Sequence, residues 1–131
     1  MGENYARLPA LLDTVQGMTA LRENSKNDDG TDCVPGVDWF RFNGAAATNL
    51  YVSGNLWVGL GTSAEQLKVW RRDAAVYNVW RQQGTVAGVA FFKLRVQGYL
   101  HYSTTAAEHS ITYELILLQD GRMVLNLCQP P

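Results

Sequence analysis

TNLYVSGNLWVGLGTSAEQLKVWRRD, residues 48–73, decides the fold class of this chain. Two short runs rich in β-branched and aromatic residues flank a tight Ser53-Gly54-Asn55 turn, which is typical of a β-hairpin. Two further glycines and a doubled arginine follow. None of these residues forms a catalytic motif. The stretch therefore predicts the core of a small β-sandwich or jelly-roll head that displays a surface.

The β pattern continues on both sides of this stretch. An Asp120-Gly121 pair between two apolar runs predicts a hairpin, and residues 74–84 fit either a strand or a helical turn. We predict an all-β fold, an antiparallel β-sandwich or jelly-roll-like head of about seven or more strands over residues 37–131. The other predicted strands are residues 37–43, 49–54, 55–61, 66–73, 89–103, 111–118 and 122–128.

The N-terminal region, residues 1–23, shows a different period. Its apolar residues recur at helical spacing, which predicts a short α-helix with one apolar stripe. Such a short helix is marginal alone in water, so the stripe must pack, either on the following head or on the same helix of sister chains. The second option makes the chain a homo-oligomer, with a trimer favoured. The stripe consists of Leu8, Leu11, Leu12, Val15, Met18 and Leu21.

A polar segment, residues 24–36, follows and is predicted to be a linker or an exposed loop. Asp28, Asp29 and Asp32 resemble a calcium loop only superficially, because their spacing fails the EF-hand template and no Glu stands at its twelfth position. We therefore predict no metal and no cofactor.

Length and charge bound the function. The chain has 131 residues, of which 47% are hydrophobic, and this suffices for one domain with a real core. Its formal net charge of −1 gives no basic field for nucleic acid. No apolar run approaches the length of a membrane helix, and the first residues lack the pattern of a secretory signal. We expect synthesis in a cytosol, no membrane insertion and no nucleic-acid partner.

The two cysteines, Cys33 and Cys128, could bridge the start and the end of the β region. Two unpaired thiols are the favoured interpretation, because a chain without an export signal meets a reducing cytosol. Neither cysteine stands in a CxxC pair or beside a histidine, so a metal or redox role is not indicated.

Catalytic residues are not indicated by the sequence. The histidines are His101, on a strand between tyrosines, and His109, in a polar loop, and no GxSxG or Cys/His signature surrounds them. We predict that the chain is not an enzyme, and a hydrolase is the least favoured of the functions considered.

The charged residues of the β region are candidates for structural ion pairs. Glu114 lies within an apolar strand, and a buried carboxylate needs a cation beside it. The alternative is that these residues are solvated and independent. The candidates are Arg71, Arg72, Asp73, Arg95 and Glu114.

Aromatic residues carry the remaining signal for binding, because exposed aromatic faces near polar side chains often hold sugars. Most Trp and Tyr side chains of a small sandwich are nevertheless core or half-core, and only one or two are expected to bind. The preferred set is Tyr99, His101 and Tyr102, with Trp80, Arg81 and Gln82 next.

Five motifs in order make the β region resemble a module of tail-associated structural proteins of phages and prophages of gut Firmicutes. The resemblance covers about residues 37–128. Its motifs are the YVSGN hairpin, the W-x-G-x-G turn, the LKVWRRD segment, the F-x-K-x-R-x-x-G-Y strand and the terminal YELIL…DG hairpin, which here has Leu-Leu-Gln before the acidic turn.

The resemblance implies a non-enzymatic virion component near the tail tip or fibre, assembled with other tail proteins in the cytoplasm of the bacterial host. Such a component would be a receptor-binding tip that contacts a surface glycan or protein. The chain also resembles extracellular adhesive sandwiches that share a YVSSNG hairpin. The alternative function is therefore a carbohydrate-binding or adhesive module of a bacterial surface protein.

Overall fold

The fold is built from antiparallel β-sheets, as the sequence predicts. The structure is a computed structural model and describes residues 17–70 and 72–129. Its strands are β1 Thr19–Arg22, β2 Thr31–Pro35, β3 Arg41–Phe42, β4 Ala45–Ala46, β5 Asn49–Ser53, β6 Trp57–Leu60, β7 Leu67–Lys68, β8 Ala75–Val86, β9 Val89–Tyr99, β10 Ser110–Leu118 and β11 Met123–Gln129. A three-residue 3-10 helix, Ala107–His109, precedes β10.

Two sheets form the sandwich. The larger has the order β1-β8-β9-β10-β11 and the smaller the order β2-β5-β6-β7, while β3 and β4 form a separate hairpin. Strands β8 to β11 and β5 to β7 each follow one another as a meander, so the strand order differs from that of a jelly roll. Of the ambiguous residues 74–84, all but Ala74 belong to β8, the longest strand of the described residues.

Tight turns set the register of the long hairpins. The turn between β8 and β9 consists of Ala87 and Gly88, both with positive φ, as a two-residue hairpin loop requires. Asn43 and Gly44 form the equivalent turn between β3 and β4. The predicted hairpin at Asp120-Gly121 joins β10 to β11.

The core lies between the two sheets. Alternate residues of each strand point inward, and together they form one buried apolar cluster. The smaller sheet contributes Val34, Leu50, Val52, Val58 and Leu60, and the larger contributes Val76, Val79, Phe92, Leu94, Val96, Ile111, Tyr113, Leu115 and Leu117. Two polar contacts also join the sheets at one edge. Arg22 forms a bidentate ion pair with Asp32, at 2.7 and 2.8 Å, and Arg81 Nε donates to the Pro35 carbonyl.

The last residues of the region predicted as an N-terminal helix form a strand instead. Thr19–Arg22 pair with β8 as an edge strand, because the backbone bonds that β8 offers outweigh the helical preference of this short segment, in which Thr19 is a weak helix former. Met18 is half-buried and Leu21 is 42% exposed. Leu8, Leu11, Leu12 and Val15 lie outside the described residues.

The segment predicted as a linker is part of the sandwich. Residues 31–35 form β2, and Asn27 pairs with Val76 through both its N–H and its carbonyl. The prediction of a linker was wrong because it relied on the polar composition of the segment. Strand β2 is polar because it is an edge strand that places only Val34 in the core. Two other predicted strands are mostly loop: residues 37–43 supply only β3, and residues 66–73 only β7.

Candidate functional site

The candidate site forms where three separate segments meet at one end of the smaller sheet. The loop at residues 27–30 is held to the start of β8 by the Asn27–Val76 pair of backbone hydrogen bonds, at 2.8 and 2.9 Å. The same loop is held to the turn between β5 and β6, because Gly54 N donates to the Gly30 carbonyl. The loop therefore ties the turn to the start of β8, and Asn55 of the turn bonds Ala74, just before β8.

Gly54 makes this meeting of segments sterically feasible. A Cβ atom at this position would lie 2.3 Å from the Asn27 carbonyl oxygen and 2.5 Å from that of Asp28. Only glycine permits backbone to approach so closely. In the same turn Leu56 adopts a φ of 63°, held by its fully buried side chain and by its N–H bond to the Ser53 carbonyl.

A pocket of about 300 Å³ opens between these segments. A second pocket of about 310 Å³ adjoins it, and the two share Lys68, Trp70 and Arg72. Aromatic rings and charged or amide side chains are the main lining groups. The first pocket is lined by Asp29, Asn55, Trp57, Glu65, Lys68, Trp70, Arg72 and Asp73.

The two tryptophans of the pocket are held in different ways. Trp57 lies on β6 opposite Lys68 of β7, and its neighbour Val58 points into the core, so Trp57 stands on the outer face of the smaller sheet. Trp70 follows β7, packs against the core, and donates its indole N–H to the Leu100 carbonyl at 3.1 Å. The ring of Trp57 is therefore the one that the fold itself does not use.

Polar side chains around the pocket are set by local contacts. Lys68 and Glu65 form an exposed ion pair at 2.8 Å. Asn55 lines the pocket and accepts a hydrogen bond from Ala74 N through its side-chain oxygen, at 3.3 Å, so the donors of its amide nitrogen are not needed for this contact. Arg72 is exposed. The pocket thus combines aromatic surface with hydrogen-bond donors and acceptors of both charges.

Three carboxylates lie together beside the pocket. Oxygens of Asp28, Asp29 and Asp73 are all within 4.8 Å of one another. Carboxylate oxygens are the ligands that calcium prefers, and these are the described residues that could hold such an ion. Asp32, which the sequence grouped with Asp28 and Asp29, is instead engaged by Arg22, and Asp73 takes its place in the cluster.

The preferred binding set of the sequence analysis lies elsewhere. His101 stacks on Tyr102 with ring centroids 4.5 Å apart, and Tyr102 is 41% exposed. His101 Nδ1 also contacts Ser103 at 2.8 Å. Tyr99 packs edge-on against Tyr77 instead. These contacts make the loop after β9 a self-packed turn, and it is not part of the pocket lining.

The second predicted set is divided between the two faces of β8. Trp80 and Gln82 point to the outer face of the larger sheet, where Trp80 lines a pocket of about 440 Å³ with Met18, Ala20, Glu23 and Arg95. Arg81 points the other way and lies over the Phe92 ring, 5.1 Å from its centroid. Because neighbours on a strand alternate in direction, these three residues do not form one site.

A charged cluster is buried on the outer face of the larger sheet. Glu114 is fully buried and its Oε2 lies 3.1 Å from Arg95 Nη1 and 3.3 Å from Lys93 Nζ. Lys93 is 1% exposed, and burial lowers its pKa although Glu114 opposes the shift. Partial burial, assisted by Glu114, raises the pKa of the nearby Cys128 thiol to about 11. Cys33 and Cys128 are free thiols.

The predicted ion-pair candidates therefore separate into two groups. Arg95 and Glu114 meet in the buried cluster, which also includes Lys93, a residue that the sequence analysis did not select. Arg72 and Asp73 line the pocket on the other sheet. Arg71 lies outside the described residues.

The chain was compared with protein-family profiles, with curated proteins and with solved structures, and nothing matched. Within residues 17–70 and 72–129, no helix has the length and apolar character that crossing a membrane demands.

Proposed function

We propose that this protein is a non-enzymatic recognition head that binds a glycan in the pocket lined by Trp57 and Trp70. The observation that carries this proposal is the position of Trp57. Its ring lies on the outer face of a strand, beside an open pocket and outside the core, with charged and amide side chains around it.

The chemistry of the pocket suits a sugar. A pyranose ring has apolar C–H faces and a rim of hydroxyl groups, so it favours an aromatic surface flanked by donors and acceptors. Trp57 supplies the surface, while Asn55, Lys68 and Asp73 supply polar groups. The adjoining pocket extends the groove past Trp70, which favours an oligosaccharide over a single sugar.

The position of Trp57 on a strand also favours binding. Sites built on strands are held more firmly than sites on loops, and Trp57 is paired in register with Lys68 across the sheet. The backbone that carries the ring is therefore fixed before the ligand arrives, which lowers the entropic cost of binding.

The biological setting rests on the resemblance. In a phage or prophage tail, this head is the receptor-binding tip, part of the virion, bound to other tail proteins and contacting a glycan of the bacterial surface. In the alternative setting, it is an adhesive module of a bacterial surface protein with the same pocket. Genes for tail, baseplate, holin and lysin proteins next to this one would support the first setting over the second.

A glycan array tests the proposal. The full chain is applied to bacterial cell-wall and surface oligosaccharides, and hits are titrated by calorimetry against wild type and Trp57→Ala. We expect saturable binding that Trp57→Ala weakens at least about tenfold, the loss typical of one well-packed aromatic contact. Mass spectrometry of the bound sugar should show no cleavage. The absence of any hit, or binding that Trp57→Ala leaves unchanged, would contradict the proposal.

A further inference from the structure

The four outer strands of the two sheets differ in how well they are protected against pairing with another strand. Exposed edges are normally blunted by short length, charge, proline or bulges. Strand β1 has four residues, a register shift and Arg22. Strand β2 has Asp32 and ends at Pro35, and β7 has two residues, one of them Lys68.

Strand β11 lacks the short length, the charge and the proline, and its register shift lies at its C-terminal end, between Leu127 and Gln129. It runs for seven residues, MVLNLCQ, without a charge or a proline. Leu125 and Leu127 are 48% and 50% exposed, although their partners Leu115 and Tyr113 on β10 are fully buried. The apolar face of β11 therefore extends beyond the part of the larger sheet that the smaller sheet covers.

The backbone of β11 presents its free groups on the same residues. Leu118 N donates to the Arg122 carbonyl, so residues 118 and 122 are a hydrogen-bonded pair of the β10–β11 ladder. Such pairs recur at every second residue of an antiparallel ladder. Val124 and Asn126 therefore bond towards β10, and the N–H and C=O groups of Met123, Leu125 and Leu127 point away from it, to an edge with which no other strand pairs within residues 17–70 and 72–129.

We propose that β11 pairs with β11 of a second copy of this chain, antiparallel about a two-fold axis at Leu125. In this register Leu125 faces its own copy and Met123 faces Leu127 of the other chain. About six backbone hydrogen bonds form, and every cross-strand pair on that face is apolar.

A second copy fits this edge better than an unrelated strand does. A two-fold interface requires a patch that is complementary to itself. Strand β11 meets this requirement because it is uncharged and its apolar residues Met123 and Leu127 lie on either side of Leu125. The edge carries no formal charge that would select a partner of opposite charge. Pairing would join the two larger sheets into one continuous sheet of ten strands, by doubling the five of one chain.

The dimer would leave the glycan pocket open. Trp57 lies on the outer face of the smaller sheet, whereas β11 belongs to the larger sheet. Two pockets on one particle bind a repeating surface glycan more tightly than one pocket, without any new contact. This consequence alone rests on the proposed function, and the pairing itself does not.

Light scattering of the full chain over a range of micromolar concentrations tests the pairing. We expect a mass of twice 14.6 kDa for the wild type and of 14.6 kDa for Leu125→Lys combined with Leu127→Lys. Leu21→Lys is the matched control, because Leu21 is similarly exposed on the opposite edge of the same sheet. It should remain a dimer. A monomeric wild type, or a dimer that survives the double substitution, would overturn the proposal.

A disulfide experiment keeps the test informative if the double lysine variant does not fold. In a Cys33→Ser, Cys128→Ser background, Leu125→Cys should form a covalent dimer under mild oxidation, because Cα atoms of a hydrogen-bonded pair lie about 5.5 Å apart, a distance that a disulfide spans. Leu21→Cys in the same background should stay mainly monomeric on reducing-agent-free gels. Equal cross-linking of both variants would contradict the pairing. Because neither experiment involves a sugar, its outcome is independent of the glycan result.

Discussion

In both sheets alternate side chains point outward, but the outward side chains of the smaller sheet reach solvent and those at the centre of the larger sheet are buried. On the smaller sheet, the outward side chains of Tyr51, Trp57 and Lys68 are exposed or half-buried, and a pocket opens beside them. On the larger sheet, the outward side chains of Lys93 and Glu114 are almost completely excluded from water.

This difference separates residues that are available for binding from residues committed to structure. A charge at an outward position of a strand is usually solvated, and a tryptophan at such a position is often covered. Here the tryptophan at position 57 faces a pocket, and the glutamate at position 114 depends on two cations for its burial. Function is therefore proposed for the smaller sheet.

The largest expected effect is on stability, from Glu114→Gln. The substitution removes the carboxylate charge that faces Lys93 and Arg95 at a buried position, and breaking a buried ion pair typically costs about 3–5 kcal/mol. Urea unfolding should show this loss. Glu65→Gln is the matched control on the other outer face, where the exposed pair with Lys68 should contribute less than about 1 kcal/mol. Equal effects of the two substitutions would show that the faces do not differ.

A smaller loss is expected from Gly54→Ala, which acts on the pocket side. The added Cβ would meet the carbonyls of Asn27 and Asp28, so the loop at residues 27–30 must move, at a cost of about 1–3 kcal/mol. Thermal unfolding measures the loss. Gly88→Asn is the control, since nothing lies near its Cβ and asparagine tolerates the positive φ. A wild-type melting temperature for Gly54→Ala would contradict the packing described for this turn.

The smallest expected effect is a loss of folding stability at alkaline pH, caused by buried groups of the larger sheet. The pKa of Cys128 is about 11 in the folded protein against an ordinary value of 9.0, so the folded state retains a proton that the unfolded chain has released. This contribution is complete below pH 9 and is lost as the pH rises through about 11. Burial also raises the pKa of Tyr113 above its ordinary value of 10.0, and this acts in the same direction.

Lys93 acts in the opposite direction. Its lowered pKa means that the unfolded chain binds more protons just below pH 10.5, so stability rises with pH in that window. Urea midpoints between neutral pH and about pH 11 should therefore fall less steeply for Cys128→Ser than for the wild type. Parallel curves for the two proteins would contradict the environment assigned to Cys128.

Much of the fold could be predicted from the sequence, because alternation and turn chemistry are local. The hairpin at Asp120-Gly121 and the strand at residues 111–118 are examples. The hairpin turns at Ala87-Gly88 and Asn43-Gly44 were not predicted, although Asn-Gly is a strong hairpin signal. Strands β1 and β2 could not be predicted, since edge strands bury few side chains and owe their structure to distant partners.

The site could be predicted only in part. Trp57 and Trp70 belong to the aromatic residues that the sequence offers, but nothing local distinguishes them from Trp80. What distinguishes them is the meeting of residues 27–30, 53–56 and 72–74, which depends on Gly54 and on the bonds of Asn27. A close contact between segments so far apart in sequence leaves no periodic signal.

A comparison of Trp57→Ala with Trp80→Ala tests the central claim most directly. Both are half-buried tryptophans on the outer face of a sheet, one beside the proposed pocket and one on the larger sheet. The measurement is the Kd of each variant for the same array-selected oligosaccharide, by calorimetry, after circular dichroism shows that both are folded. We predict that Trp57→Ala raises Kd at least about tenfold and that Trp80→Ala leaves it unchanged. The reverse result would contradict the account and move the binding site to the larger sheet.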